Sequence, residues 1–579
     1  MIVRKFKSDM SSILDIIIHS IQHVMSNHQI EKVKQVTADL GSAASSHYAK
    51  GLCSMPNIRS LELQNVKLSD EFYSTMASEA SRSMIEELIH REASLGSAAS
   101  SHYARGLCSM PKLRSLNLDR VVMSDEFYST IASQASKSKI EELKHEFTDL
   151  GSAASSHYAR VLCSMPNLRS LNLDRVRLSD EFYSTMATEA SQSMIEELKH
   201  EFTDLGSAAS SHYARVLCSM PNLRSLNLDR VRLSDEFYST MATEASQSMI
   251  EELKHKFTDL GSAASSYYAR GLCSMPNLRS LELLYVMLSD EFYSTMATEA
   301  SKSTIEELKH EFTDLGLSAS SHYARGLCSM PKLQSLNLDR VMLSDEFYST
   351  MATEASQSMI QTLIIGGVSI TPCRLHSILS LPRLQSLSLR DIRRVDMDDG
   401  ETLTRQITSV YELSVEYKHV TSLWNLGLHT SCPRVQKLEL NLLFSESVSS
   451  DIVTMACSPF HHLTHLHIQE YPPVVTSIEL NDPVLFCKAV KTSCPRLTKL
   501  SLTDIVLTNK KAAEIIQLMK SHPYLTRIEL NLCLTNVDLD SLMSEVNSEG
   551  KLTVTMKHGK VRYNNRLHAH PSVDSSPSS

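Results

Sequence analysis

Histidine is the residue type in this 579-residue chain whose spacing most readily suggests chemistry. One histidine recurs every 55 residues, at His90, His145, His200, His255 and His310. A second group lies close together and comprises His461, His462, His465 and His467. Imidazole ligates metals and exchanges protons near neutral pH, so these groups could form a metal site or a pH-sensitive stack.

The surrounding residues favour neither kind of site. No cysteine or acidic pattern completes a metal site around His465 and His467, which share a strand face. The periodic histidines occupy positions where leucine is expected, which predicts neutral imidazoles that are hydrogen-bonded within a core. We therefore expect no metal and no cofactor.

Enzyme motifs are also absent from the sequence. It contains no Gly-x-Ser-x-Gly, no His-Glu-x-x-His, no Cys-x-x-Cys and no glycine-rich phosphate loop. The net charge of −9 and the pI near 6.2 argue against a nucleic-acid partner. The apolar N-terminal stretch is too short to span a membrane. The sequence predicts a non-catalytic chain that binds a protein or a peptide and leaves its oligomeric state open.

A tandem repeat must position the residues that this chain displays. Near-identical 55-residue copies open at Leu40, Leu95, Leu150, Leu205, Leu260 and Leu315. Each copy contains half-units of 27 and 28 residues. Their apolar residues fall at offsets 0, 3, 5, 8 and 10, as at Leu168, Leu171, Leu173, Val176 and Leu178. This half-unit and its equivalents are the first halves, and those like the one at Ile195 are the second halves. The Leu-x-Leu alternation predicts a strand with one buried face.

A helix is predicted after each strand. In the first half, Ser179 is the expected N-cap, and the stripe of Phe182, Met186 and Ala190 marks a buried helix face. In the second half, Ser207 is the expected cap, and a similar stripe of Ala209, Tyr213 and Leu217 follows it. Each half-unit is thus predicted to be one strand plus one helix.

The pattern extends on both sides of the near-identical copies. Degenerate half-units are predicted from Ile30 and again from Ile360, with Leu552–Val554 as a last weak candidate, which gives about twenty repeats. We expect a capping helix over 1–29, the 55-residue array over 30–365, irregular repeats over 366–557 and a disordered tail over 558–579.

Several phrases carry a resemblance to a known family. CSMPNLRSLNL, SCPRVQKLEL, SCPRLTKLSL and SHPYLTRIEL resemble ribonuclease-inhibitor-type leucine-rich repeats, and more closely the leucine-rich region of invertebrate NACHT-LRR (NOD-like) innate immune receptors. The resemblance implies an α/β leucine-rich-repeat solenoid, a horseshoe with a parallel β-sheet on its concave face and helices on its convex face. Two departures are Val176 or Thr203 at offset 8, where the family places Asn or Cys, and the lack of Gly-x4-Gly-Lys-Ser/Thr.

The resemblance implies a ligand-sensing or autoregulatory segment of such a receptor. A substrate adaptor of a ubiquitin ligase, similar to F-box leucine-rich proteins, and a free-standing binder similar to ribonuclease inhibitor remain alternatives. A NACHT module encoded before Met1 would favour the first and an F-box the second. Six periodic cysteines too far apart for disulfides, and the absence of Asn-x-Ser/Thr, favour the cytoplasm.

The strand alternation also predicts which side chains face a partner. In the near-identical copies we expect the concave face to display Asn172, Glu197, Lys199, Asn227, Glu252 and Lys254. Because those copies repeat one surface, we expect a unique ligand to read the irregular repeats through Lys437, Glu439, His465, His467, Lys499, Arg527 and Glu529. These charges form either a net acidic groove for a basic ligand or a self-neutralised, solvated face.

Overall fold

A computed structural model describes residues 2–4, 31–396, 408–442, 448–470, 478–480, 482–507, 509–532 and 553–558. The chain divides into two compact units. The first unit is Met1–Ile365 with Leu381–Arg383, and the second is Gly366–Ser380 with Leu384–Ser579.

Parallel strands pair in chain order through the first unit, alternating first and second halves. The first-half strands are Ser60–Lys67, Ser115–Val122, Ser170–Asp174, Ser225–Asp229, Ser280–Met287 and Ser335–Leu338. The second-half strands are Lys32–Asp39, Glu87–Ser94, Glu142–Glu146, Glu197–Glu201, Glu252–Asp259, Glu307–Glu311 and Thr362–Gly366. Two short strands, Thr313–Asp314 and Val341–Met342, pair with each other. The register never slips, so Leu171 lies opposite both Leu143 and Leu198.

In the first unit, one helix lies between each half-unit strand and the next. The first-half helices are Asp70–Glu79, Asp125–Gln134, Asp180–Glu189, Asp235–Glu244, Asp290–Glu299 and Asp345–Glu354, each continued by one 3₁₀ turn. The second-half helices are Ser42–Ser54, Ser97–Ser109, Ser152–Ser164, Ser207–Ser219, Ser262–Ser274 and Leu317–Ser329. The predicted strand-plus-helix half-units are therefore present.

The predicted caps are only partly right. Ser179 occupies the N-cap position, but its hydroxyl accepts no hydrogen bond from the helix backbone. The prediction for Ser207 is wrong, because the helix already includes this residue and Gly206 is the N-cap. The carbonyl oxygen of Gly206 accepts the amide of Ser210, whose hydroxyl donates to the carbonyl of Leu205. A serine one turn inside the helix thus secures its start.

The core lies between the strands and the helices. Leu171 and Leu173 are buried on the strand, and Phe182, Met186 and Tyr213 are buried on the helices. The offset-2, offset-4 and offset-6 side chains between the leucines lie on the opposite face of the sheet, which we call the open face. Burial of alternate residues together with in-register parallel pairing confirms the predicted α/β leucine-rich-repeat solenoid.

The second unit repeats strand and helix less regularly. Its strands are Ser369–Ile370, Ser386–Arg390, Arg394–Val395, Glu412–Glu416, Lys437–Leu442, His465–Glu470, Ile478–Glu479, Lys499–Thr503, Ile505–Val506, Arg527–Leu532 and Thr553–His558. Its helices are Pro372–Leu379, Val420–Asn425, Leu428–Ser431, Ser450–Cys457, Pro483–Ser493 and Asn509–Met519, with a 3₁₀ turn at Tyr417–His419. Six of these strands pair in parallel, each with the next, in the same register as in the first unit: Glu412–Glu416, Lys437–Leu442, His465–Glu470, Lys499–Thr503, Arg527–Leu532 and Thr553–His558.

The two chain ends bear differently on the predictions. Ile2–Arg4 form a strand that pairs in parallel with Lys34–Val36. The rest of the capping helix predicted over 1–29 lies outside the described residues, as does the tail predicted over 558–579 beyond His558.

The periodic histidines are buried as predicted. His200 is fully buried, and its Nδ1 lies 3.1 Å from the hydroxyl of Tyr213, while its Nε2 has no partner among the described residues. The ring of Tyr183 stacks on the imidazole at 6.4 Å. Burial lowers the pKa of His200 to about 4, because removal from water disfavours the charged form of the imidazole.

These histidines should make the array sensitive to acid. The folded-state pKa of about 4 lies below the ordinary histidine pKa of 6.5, so the unfolded chain binds more protons between these values. The free energy of unfolding therefore falls as the pH drops from about 6.5 towards 4, by about 2 kcal/mol per histidine at pH 5. We expect H200L/Y213F to lose less stability than the unmodified chain between pH 7 and pH 5, measured by urea unfolding. Y213F, which keeps the imidazole, is the control, and equal pH slopes for both variants would contradict the assignment.

The register also predicts which deletions the fold tolerates. Copies 151–205 and 206–260 differ only at Glu201 and Lys256. Removing 206–260 therefore joins Glu197–Glu201 to Ser280–Met287, a junction that Glu252–Asp259 already makes. We expect this deletion to keep the circular-dichroism spectrum per residue and a cooperative thermal transition. Removing 206–246 leaves a fraction of a half-unit and should abolish the transition; similar melting of both deletions would argue against independent stacking units.

Candidate ligand-binding face

Because neighbouring strands pair in register, residues at the same offset form continuous rows across the open face of the first unit. Ser170 lies opposite Glu197, Asn172 opposite Lys199, and Asp174 opposite Glu201. The next strand continues each row. Neighbouring strands of a sheet lie about 4.8 Å apart, so equivalent side chains of successive copies recur about every 10 Å.

The structure brings together the candidate residues predicted in the near-identical copies. Asn172, Lys199, Asn227 and Lys254 form one row at offset 4. Glu197 and Glu252 lie at offset 2 on either side of Ser225. The positions share one face as expected, and whether they bind a ligand stays a prediction.

Some of the charges on this face are paired within the chain. The Nζ of Lys199 lies 2.9 Å from a carboxylate oxygen of Glu201, two residues along its own strand, and Lys144 pairs in the same way with Glu146 at 2.7 Å. The lysines at offset 4 therefore neutralise part of the negative charge of the neighbouring offset-6 row.

The offset-6 row is strongly acidic. Its consecutive members are Asp119, Glu146, Asp174, Glu201 and Asp229. Partial burial raises the pKa of Asp174, the carboxylate of Glu201 raises it further, and Arg175 offsets part of the effect. The Oδ1 of Asp174 has no hydrogen-bond partner among the described residues. This row carries more carboxylates than either of the other two rows of the open face between Ser115 and Lys256.

The candidate residues of the second unit also share a sheet face. Lys437, His465, Lys499 and Arg527 form one row, and Glu439, His467 and Glu529 belong to the next, which Ser501 completes. The alternation that predicted them is therefore correct for this unit.

The charged candidate residues of the second unit have partners close by. Lys437 pairs with Glu412, and Lys499 and Arg527 both pair with Glu529 at 2.9 and 2.7 Å. Hydrogen bonding from Lys499 lowers the pKa of Glu529 below its usual value. These exposed pairs leave little uncompensated charge, which agrees with the alternative of a self-neutralised face.

The two histidines of this face do not converge on one point. His467 lies between Glu439, at 3.4 Å, and the hydroxyl of Thr503, at 2.9 Å. His465 contacts the hydroxyl of Thr464 instead, at 2.8 Å. Within the described part of the chain, no three histidine, cysteine, aspartate or glutamate side chains are grouped as metal ligands.

Sequence reasoning missed a row of side chains beside the acidic row. These side chains lie at offset 7, and each of the residues has a left-handed φ between 51° and 58°. The residues of this row are Arg120, Phe147, Arg175, Phe202, Arg230, Phe257, Tyr285, Phe312 and Arg340. The guanidinium of Arg175 lies 4.7 Å from the ring of Phe147 and 4.1 Å from that of Phe202. Arginine and phenylalanine thus alternate in a continuous stack at the exposed end of the strands. The alternation of DRV with EFT in the sequence is the signal that could have revealed it.

Comparisons with known proteins add little to this geometry. No family model matches the chain, and no curated protein sequence matches it. Among solved structures it is similar to an internalin (inlF) from Listeria monocytogenes, with 12% identity and a TM-score of 0.34 over 70% of this chain and 94% of that one. It is also similar to a TLR13–ssRNA13 complex, with 14% identity and a TM-score of 0.27 over 90% of each chain. The fold assignment therefore rests on the register and burial of this chain itself.

The stacked row yields a direct test of its energetics. R175A removes a cation from between two aromatic rings, so we expect the free energy of unfolding to fall by about 1 kcal/mol. R175Y should cost less, because Tyr285 already takes the arginine position in another copy and stacks on Phe257 and Phe312 at 4.9 and 4.3 Å. Urea unfolding of both variants measures the difference, and equal losses would show that stacking contributes nothing.

Proposed function

We propose that this chain is a non-catalytic protein-binding array whose open face in the first unit binds a basic protein or peptide. We further propose that it is the ligand-sensing or autoregulatory leucine-rich segment of a cytoplasmic NLR-type innate immune receptor. The observation that carries the binding function is the in-register acidic row from Asp119 to Asp229.

The charge of the open face supports a basic ligand. Across its three rows from Ser115 to Lys256, eight carboxylates face four lysines. Asp174 has no ion pair among the described residues, whereas Asp229 pairs with Arg230 at 3.7 Å. A ligand cation placed between Asp174 and Glu201 would relieve the repulsion from Glu201 that, together with partial burial, raises the pKa of Asp174.

The spacing of the face supports an extended or repeated ligand. Asp174 and Asp229 occupy the same position two strands apart, which corresponds to about 10 Å. An extended peptide advances about 3.3 Å per residue, so lysine or arginine at every third residue would match this spacing. Several weak contacts of this kind add up through a high local concentration.

The receptor assignment has a different and narrower support. It rests on the phrases that resemble NACHT-LRR receptors, such as CSMPNLRSLNL. The periodic cysteines are buried thiols, and burial raises the pKa of Cys163 and of Cys218 to about 12, so these thiols are poorly reactive. No helix among the described residues has the length and apolar character that a bilayer crossing needs.

The basic-ligand proposal is tested with a displayed library of random twelve-residue peptides, selected on the full chain. We expect lysine- and arginine-rich sequences whose affinity falls as salt is added. D174N/D229N should weaken their binding about tenfold or more in calorimetry, since both substitutions remove charge while keeping the side-chain shape. E189Q/E244Q removes the same charge from the helix layer and should leave the affinity unchanged. Equal weakening by both double variants would mean attraction to net charge only, and no effect of D174N/D229N would place binding elsewhere.

The receptor assignment is tested separately, on the transcript upstream of Met1. An in-frame NACHT module would support it, and an F-box would replace it with a ubiquitin-ligase adaptor. Neither outcome changes the expected behaviour of D174N/D229N, so the two parts of the proposal stand or fall independently.

A further inference from the structure

One copy of the repeat differs from its neighbours on the surface while it keeps the same core. The strand Ser280–Met287 reads SLELLYVM, whereas the equivalent residues from Ser225 read SLNLDRVR. The buried residues Leu281, Leu283 and Val286 repeat their counterparts in the preceding copy. The four differences all fall on residues that retain solvent exposure, so packing does not explain them.

The changed residues create an apolar surface in an otherwise charged array. Tyr285 replaces an arginine and stacks between Phe257 and Phe312, with ring centroids 4.9 and 4.3 Å away. Phe257 and Tyr285 are 39% and 41% exposed, and Met287 beside them is 63% exposed. Side chains of this size left in water cost free energy that a partner could recover by covering them.

Two carboxylates next to this surface lack the arginine that their equivalents have. In the preceding copies, Arg177 pairs with Asp149 and Arg232 pairs with Asp204, both at 3.9 Å. The next aspartates of that row, Asp259 and Asp314, lie opposite Met287 and Met342 instead. Neither has an ion pair within the part of the chain that the structure describes.

We propose that Phe257, Tyr285, Met287 and Phe312, with Asp259 and Asp314, form a docking site for a protein segment that carries an arginine next to an apolar residue. The arginine would supply the cation that the two aspartates lack. Because Phe257 and Phe312 cover both faces of the Tyr285 ring, the arginine side chain would lie along the exposed edge of this stack, where the hydroxyl of Tyr285 can accept a hydrogen bond from its guanidinium. The apolar neighbour would cover Met287.

The charges at the site favour this occupant over others. Two uncompensated carboxylates would repel a phosphate-bearing lipid surface. In a second copy of this chain, the arginines at the equivalent strand position, Arg120, Arg175 and Arg230, each already lie on a ring of their own chain. A flexible segment of another protein can present an arginine that has no such partner.

This inference rests on the proposed binding function and adds to it a second binding site of different chemistry. The experiment uses the same displayed peptide library on the full chain. L284D/Y285R/M287R gives this copy the residues of the two preceding copies, where they fold in the same setting. We expect a class of selected peptides with arginine beside an aromatic or aliphatic residue, and we expect this variant to lower their affinity at least tenfold with an unchanged circular-dichroism spectrum.

A reciprocal variant provides the matched control. R175Y/R177M builds the same surface two copies earlier, next to Phe147 and Phe202, where it shares no residue with the original site. It should therefore raise the calorimetric stoichiometry of these peptides from one to two per chain. D174N/D229N should leave their affinity largely unchanged.

The other outcomes each overturn the inference. If the triple variant binds the peptides as tightly as the unmodified chain does, the site is not at this surface. If the affinity of every selected peptide depends on Asp174 and Asp229, the proposed function stands and the second binding site does not exist. Concentration-dependent sedimentation that the triple variant abolishes would make a second copy the occupant, and a library that yields no peptide would remove both proposals.

Discussion

The whole array depends on one constraint, which is that successive half-units pair in parallel without a slip in register. Leu171 lies between Leu143 and Leu198, and the same contact recurs at each step along the first unit. A one-residue shift would turn every leucine to water and every charged residue into the core. The identity of the copies therefore protects the register, since each strand meets a neighbour with the same buried pattern.

The same register determines where chemistry can reside. A buried histidine at offset 5, such as His200, meets a tyrosine from its own half-unit, and burial keeps its pKa near 4. A carboxylate at offset 6, such as Asp174, meets further carboxylates from the strands on both sides. Offset 5 thus places a neutral histidine in the core, whereas offset 6, the next residue on the opposite face of the sheet, brings together carboxylates that repel one another.

Sequence patterns predicted the half-unit length, the strand faces and the burial of the histidines, because these follow from the spacing of apolar residues. The stack at offset 7 could not be read in this way. It depends on a left-handed φ, 53° at Arg175, which bends the strand end so that Val176 returns to the core and the arginine turns along the sheet edge. The pairing of Lys199 with Glu201 also depends on side-chain conformation, which spacing does not specify.

Repetition makes this surface long, but it provides little binding specificity. A ligand that contacts Asp174 can move by one copy and meet Asp229 in nearly the same setting, so the acidic row alone does not fix its position. Specificity then needs a place where the copies differ. The replacement of Arg230 and Arg232 by Tyr285 and Met287 in the following copy is such a difference, and it changes the chemistry from paired charges to stacked rings beside uncompensated carboxylates. In the two proposals taken together, the repeated acidic row would attract a basic partner without fixing its position along the array. The single apolar copy would then fix that position, because its surface occurs only once among the near-identical copies.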